Sequence, residues 1–250
     1  MQDRVGPFFC ASLRHFIIVV LGALACLSMT IRPVRGENLI VNGSFESPSA
    51  PSGNIIEIYS GREPAGFTWH ATMGTVEVIH QGYVTPGGVV FSGPAYQGSQ
   101  WLDLDGISAG AISQAFATTP GQLYALRFAY ANNPRATSPP SAMVSLFDTA
   151  TSHTLARLSI THDSSTLSDY NWTLSPSVVF DAIGTSTTLS FVSNDASCSA
   201  TGIFLDGVQV SAVPEPTGLV LLGVGVLCMI SFAWGCRGTL VSQSSPSHPA

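Results

Sequence analysis

Short runs of alternating apolar and polar residues fill the middle of this chain. Ala111 to Ala117 alternates small or apolar residues with polar ones, and Leu123 to Ala131 does the same after a Pro120-Gly121 turn. Met143 to Phe147, Leu155 to Ile160, Val178 to Phe180, Thr187 to Val192 and Ile203 to Val210 read the same way. Residues two apart share one face of a strand, so each run predicts a half-buried strand. Turn residues punctuate them: Asn132-Asn133-Pro134, Ser138-Pro139-Pro140, Ser164-Ser165 and Asn194-Asp195. No window of a dozen residues carries an amphipathic helix. Strands at a spacing of roughly 8–12 residues predict an all-β sandwich or jelly roll of about eight to ten strands.

The two ends break this pattern. Arg4 and Arg14 precede an apolar stretch from Phe16 to Ile31, and Ala23-Leu24-Ala25 offers a small-residue cleavage site. These are the parts of a secretory signal peptide, expected over residues 1–36. An uncleaved N-terminal anchor is the alternative, and Cys26 after Ala25 raises a lipoprotein reading. At the other end, Thr217 to Trp234 is an uncharged run of eighteen residues, just enough to span a bilayer as a helix. Val213-Pro214-Glu215-Pro216 stands before it as a helix-stopping hinge. Arg237 follows it, then a polar tail over 239–250. The order of box, span and positive charge over 213–238 resembles the PEP-CTERM sorting signal of bacteria. That resemblance implies export, capture in the membrane and processing by an exosortase. The chain departs from the pattern in having no run of arginines after the span.

Residues 37–212 remain as one exported domain, long enough to bury a sizeable core. The chain has no lysine, and this part holds four arginines against thirteen carboxylates, a net charge of −9. Such a surface repels nucleic acid, whose binding depends on clustered Lys and Arg. It suits neutral ligands or divalent cations held by carboxylate oxygens. Cys198 is the domain's one cysteine, so no internal disulfide can form.

A second resemblance rests on an ordered set of motifs. Asn38-Leu-Ile-Val-Asn-Gly-Ser-Phe-Glu46 opens the domain, followed by Gly66-Phe-Thr-Trp69, Gly74 to Ile79, Gly98-Ser-Gln-Trp-Leu-Asp-Leu-Asp-Gly106, Gly110 to Phe116 and Thr119 to Tyr124. Gly184 to Phe191 and Leu205-Asp-Gly-Val-Gln-Val210 close it. This order resembles the choice-of-anchor C family of bacterial surface proteins. It is also similar to a plant cell-wall domain family of unknown function. The resemblance implies a galactose-binding-like jelly-roll β-sandwich. It also implies a calcium ion tying the first strand region to the last, with Glu46 and Asp206 as side-chain ligands and backbone carbonyls completing the shell. Without the metal, Glu46 caps a turn and Asp206 is a loop residue. Related domains often have two acidic or amide residues where this chain has Asp206-Gly207.

Several candidate sites remain. Tyr83, Tyr96, Trp69 and Trp101 lie in or beside the Gly/Pro-rich first half, where aromatic faces can stack on sugar C–H surfaces. The alternative for Trp69 and Trp101 is an anchor in the core beneath loops. Phe128, Phe147, Phe180, Phe191 and Phe204 fall on strands and read as core. Asp103 and Asp105 share a strand face, as a second oxygen cluster or, more simply, as a solvated strand end. Gly106-Ile-Ser-Ala-Gly110 matches the nucleophile elbow of hydrolases, but a strand pattern follows it where the elbow needs a helix. His162-Asp163 reads as loop, and Glu57 and Glu63 lack a partner for a paired-carboxylate glycosidase site. The expected function is a non-enzymatic module of the cell surface or extracellular matrix that binds polysaccharide. The alternatives are a purely structural envelope or biofilm matrix protein and, third, a secreted hydrolase.

Overall fold

The computed structural model describes residues 36–196 and 200–214, together with Gly225, Cys228 and Met229. The leader, Cys198 and the sorting residues Glu215, Pro216 and Arg237 lie outside the described residues. Among the described residues no helix is long and apolar enough to cross a membrane.

The described residues of 36–214 contain fourteen strands and no helix. In chain order they are β1 (Ile55–Tyr59), β2 (His70–Met73), β3 (Thr75–His80), β4 (Tyr83–Val84), β5 (Val90–Phe91), β6 (Gln100–Asp103) and β7 (Ala111–Ala117). There follow β8 (Leu123–Asn132), β9 (Ser141–Asp148), β10 (Thr154–Thr161), β11 (Thr173–Leu174), β12 (Val178–Asp181), β13 (Ser186–Ser193) and β14 (Ile203–Ala212). All seven strands expected from alternation are present. The count exceeds eight to ten because β1, β2, β4, β5 and β11 are short pieces in the loop-rich stretches, and β6 shows no alternation at all.

Two antiparallel sheets face each other. One runs β1-β3-β6-β14-β8-β11, with β12 also on β8, and the other runs β10-β9-β13-β7-β2. Their facing sides make the main core, in which Val78, Leu102, Leu126 and Leu205 of the larger sheet meet Ile112, Val144, Leu146 and Phe191 of the smaller. Period two decides which residues those are.

The alternate residues of the larger sheet do not face water. Ile79, Trp101, Ala131 and Phe204 point outward and join Phe91 and Tyr170 in a second apolar cluster. The hairpin of β4 and β5 and the loop before β11 supply its cover. Central strands buried on both faces lose the alternation signature, which is why β6 reads as four buried residues in a row.

The opening motif docks against the last strand, as the family resemblance implies. Leu39 N donates to Val210 O, and the Asn38 amide donates to Val208 O while its Oδ1 accepts from Val210 N. Gly43 lies against the Val208 carbonyl so closely that a Cβ there would collide with it. The glycine of the motif is thus set by close approach of two backbones.

Candidate functional site

The outer side of the larger sheet gathers the chemistry. Direct cross-strand partners share a face, and one row there reads Glu57, Glu77, Asp103, Phe204 and Ala131 across β1, β3, β6, β14 and β8. Burial, with the Glu57 charge adding, pushes the Glu77 carboxyl up to about 7. Asp103 is fully buried and its carboxyl is held well above the usual range, first by desolvation and then by Glu77. Its Oδ1 accepts from Asp105 N and Gly202 N, and its Oδ2 from the Asn133 amide. Asp105 is equally buried. The expectation of a solvated strand end at Asp103 and Asp105 is therefore wrong. These carboxylates organise the β6–β7 connection from inside, and β14 and the Asn133 turn close over them.

Glu46 and Asp206 meet at one segment, Tyr96 to Gln100. Glu46 Oε1 accepts from Ser99 N at 2.9 Å and Gln100 N at 2.8 Å, and its Oε2 accepts from Ser99 Oγ. Asp206 Oδ2 accepts from Gln97 N at 2.8 Å and Oδ1 from Gly207 N. Asp206 is fully buried, and its carboxyl is raised to about 8, mainly by desolvation, with the Glu46 charge adding to the rise. Among the described residues no group of three or more His, Cys, Asp or Glu side chains is placed to hold a metal. The oxygen chemistry fits a divalent cation only if main-chain carbonyls join these two carboxylates. Such a cation would keep Asp206 ionised, which burial and the Glu46 charge oppose.

Position 207 has its own reason to be glycine. The ladder between β14 and β8 shifts register between Asp206 and Gln209, and Gly207 sits in this bulge at φ 58°. A Cβ on Gly207 would fall 2.9 Å from Tyr96 Cδ1. The bulge thus makes room for the Tyr96 ring.

The four aromatic candidates divide. Trp69 is fully buried in the main core, stacked on Phe45 at 5.7 Å, with its indole N–H donated to Asn42 O. Trp101 is fully buried in the second cluster between Tyr170 and Phe204. Neither can stack on a ligand, and the reading of these two as binding residues is corrected: Trp69 enters the main core from the bend just before β2, and period two on β6 turns Trp101 into the outer apolar layer. Tyr83 is half-buried against Phe91. Tyr96 is 46% exposed and meets Trp172 edge-on at 6.4 Å. Trp172, which sequence reasoning missed, is half-buried and fixed by its N–H to Pro94 O. Its only signal was an aromatic beside a polar turn. Phe147 is likewise half-exposed on the outer side of the smaller sheet, not core.

The hydrolase features come apart. Ser108 caps a turn, its backbone N–H donating to Thr75 Oγ1, and β7 follows as a strand. His162 is buried between Asn132 Oδ1 and Asn171 O. No hydrogen bond joins them.

The family is decided by residues 38–211, which match the model of a family described as a protein of unknown function, DUF642. This chain belongs to the DUF642 family. A comparison with curated proteins finds no match. Among solved structures, this DUF642 chain is similar to TmCBM61 in complex with β-1,4-galactotriose, at 13% identity and a TM-score of 0.43, over 70% of this chain and 99% of that one. It is also similar to the CBM22-1 xylan-binding domain from Paenibacillus barcinonensis Xyn10C, at 18% identity and a TM-score of 0.39, over 67% and 100%. A family 16 carbohydrate binding module gives 18% identity and a TM-score of 0.38, over 69% and 99%. At TM-scores below 0.5 these are distant likenesses.

Proposed function

We propose that this DUF642 chain is an exported module of the bacterial cell surface or extracellular matrix, with a galactose-binding-like jelly-roll topology. It binds a neutral polysaccharide without altering it. The observation that carries this reading is the exposed ring of Tyr96, held by the edge of Trp172 and by the glycine bulge at 207. A preorganised, partly exposed aromatic pair offers stacking area at little entropic cost. Tyr83 stands on the same cover. The net charge of −9 favours a neutral ligand over an anionic one.

Calcium held by Glu46 and Asp206 with main-chain carbonyls would fix the Tyr96–Gln100 segment that presents this ring. Thr217 to Trp234 would hold the precursor in the membrane, and an exosortase would process it at Val213 to Pro216. A non-catalytic role is supported by the separation of Ser108 from His162.

An immobilised polysaccharide array probed with the purified protein tests the binding. Retention on at least one neutral glycan is expected, with loss of retention in Tyr96→Ala at an unchanged melting temperature. Absence of binding to every glycan would leave a purely structural matrix protein as the better reading.

A further inference from the structure

We infer that the end of the sandwich carrying Leu123, Ile183 and Val213 rests on the lipid surface of the membrane that holds the precursor. This rests on the anchoring reading above and adds the orientation of the domain and the residues that touch lipid.

Both ends of the folded chain leave from this place. A Cβ on Gly36 would lie 3.2 Å from Ser211 Cβ, so the first described residue is against the C-terminal end of β14. Val213 N donates to Leu123 O at 2.8 Å, and the Gln122 amide donates to Val213 O at 2.9 Å. Val213 is therefore fastened to the first residue of β8 before the proline box begins.

The sequence then leaves little slack on either side. Four residues lie between Ile31, the end of the leader's apolar run, and Gly36, and three lie between Val213 and Thr217, the start of the tail's run, which is four steps along the chain. An extended residue spans at most about 3.6 Å, so four residues reach roughly 14 Å. Either apolar segment, seated in the bilayer, brings the same end of the domain down to the headgroup layer, which is only several ångströms deep on each side. The orientation does not depend on which segment is the anchor.

The surface at that end suits the contact. Leu123 is 44% exposed, Ile183 52% and Val179 53%. Leu123 and Val179 lie on one outward face, since Leu123 pairs with Asp181 and Ala125 with Val179. Ile183 follows in the turn whose Ala182 N donates to Gln122 O. The charged neighbours are mixed: Glu37 and Asp181 are acidic, Arg35 precedes Gly36 in the chain, and exposed Arg127 lies on the Leu123 face of β8. The contact is made by the exposed aliphatic side chains entering the interface.

The test uses the full chain reconstituted in phosphatidylcholine vesicles, with the five native cysteines replaced and one new cysteine carrying an environment-sensitive fluorophore. Labels are placed at Leu123→Cys, Ile183→Cys and, at the opposite end, Ser138→Cys. A quencher attached to lipid headgroups should quench the labels at 123 and 183 at least threefold more than the label at 138. Equal quenching at the three positions, in vesicles that retain the chain through carbonate washing, would overturn the docking alone. Release of the chain by carbonate would overturn the anchoring and the docking together.

Discussion

Glu77 on β3 stands directly across from Glu57 on β1 and, on its other side, from Asp103 on β6. Three carboxylates in one cross-strand row repel one another, and like charges directly opposite destabilise a sheet. The row persists because Glu77 holds its proton near neutrality.

That gives stability a pH dependence with a definite sign. Glu77 has a folded-state pKa of about 7 against an ordinary value of 4.5. The folded chain binds this proton more tightly than the unfolded chain, so its stabilising contribution is complete below pH 4.5 and is lost as pH rises towards 7. Glu77→Gln should remove this part of the slope. Its melting temperature should exceed that of the parent by about 5 °C at pH 8 and match it near pH 4.5. Parallel melting curves for the two proteins across pH 4.5 to 8 would refute the shared-row account.

Calcium should raise the melting temperature and chelation should lower it, because a ligand bound only by the native state stabilises by mass action. Glu46→Ala and Asp206→Ala should each abolish the difference between the two conditions. Glu46→Ala also strands the Ser99 and Gln100 amides, a cost of about 1–3 kcal/mol that appears with or without metal. A chelator that leaves the parent's melting curve unmoved would remove calcium from the account.

Trp69 and Tyr96 should respond in opposite ways to truncation. Trp69→Ala empties a fully buried site and should cost about 3–5 kcal/mol. Tyr96→Ala removes a partly exposed ring and should stay within about 0.5 kcal/mol while glycan retention is lost. Denaturant titration of both variants separates the two roles.

Gly207→Ala should displace the Tyr96 ring and strain a backbone held at φ 58°. Weaker glycan retention is expected, with a fall in melting temperature of a few degrees. Retention equal to the parent's would show that the ring position is immaterial.

Replacing Pro214, Glu215 and Pro216 by alanine should leave full-length precursor in the membrane fraction of the native host. A chain ending at Val213 should instead be secreted and folded, since Val213 makes the last bonds to β8. Mature protein that still carries Thr217 to Trp234 would make the tail a permanent anchor.

Alternation alone determined the all-β class and the seven longer strands, because each has one face in a core and one outside it. The motif from Asn38 to Glu46 carried a resemblance that implied a tie to the last strand, where Leu39 meets Val210. It brought Glu46 to the same segment as Asp206 but left the metal open. Tertiary structure decided the rest. β6 and the burial of Asp103 were illegible because the outer side of the larger sheet is covered by a hairpin and a loop, whereas Trp101 was readable either as a stacking residue or as a core anchor and proved the latter. A polar residue on a doubly buried strand looks like a turn until its partners, Gly202 and Asn133, arrive from elsewhere. The Glu57–Glu77 opposition depends on register, which no single strand contains. Trp172 joined Tyr96 only because Pro94 and the 207 bulge brought two loops together. Local pattern reports which way a side chain points, and only the fold reports what is waiting there.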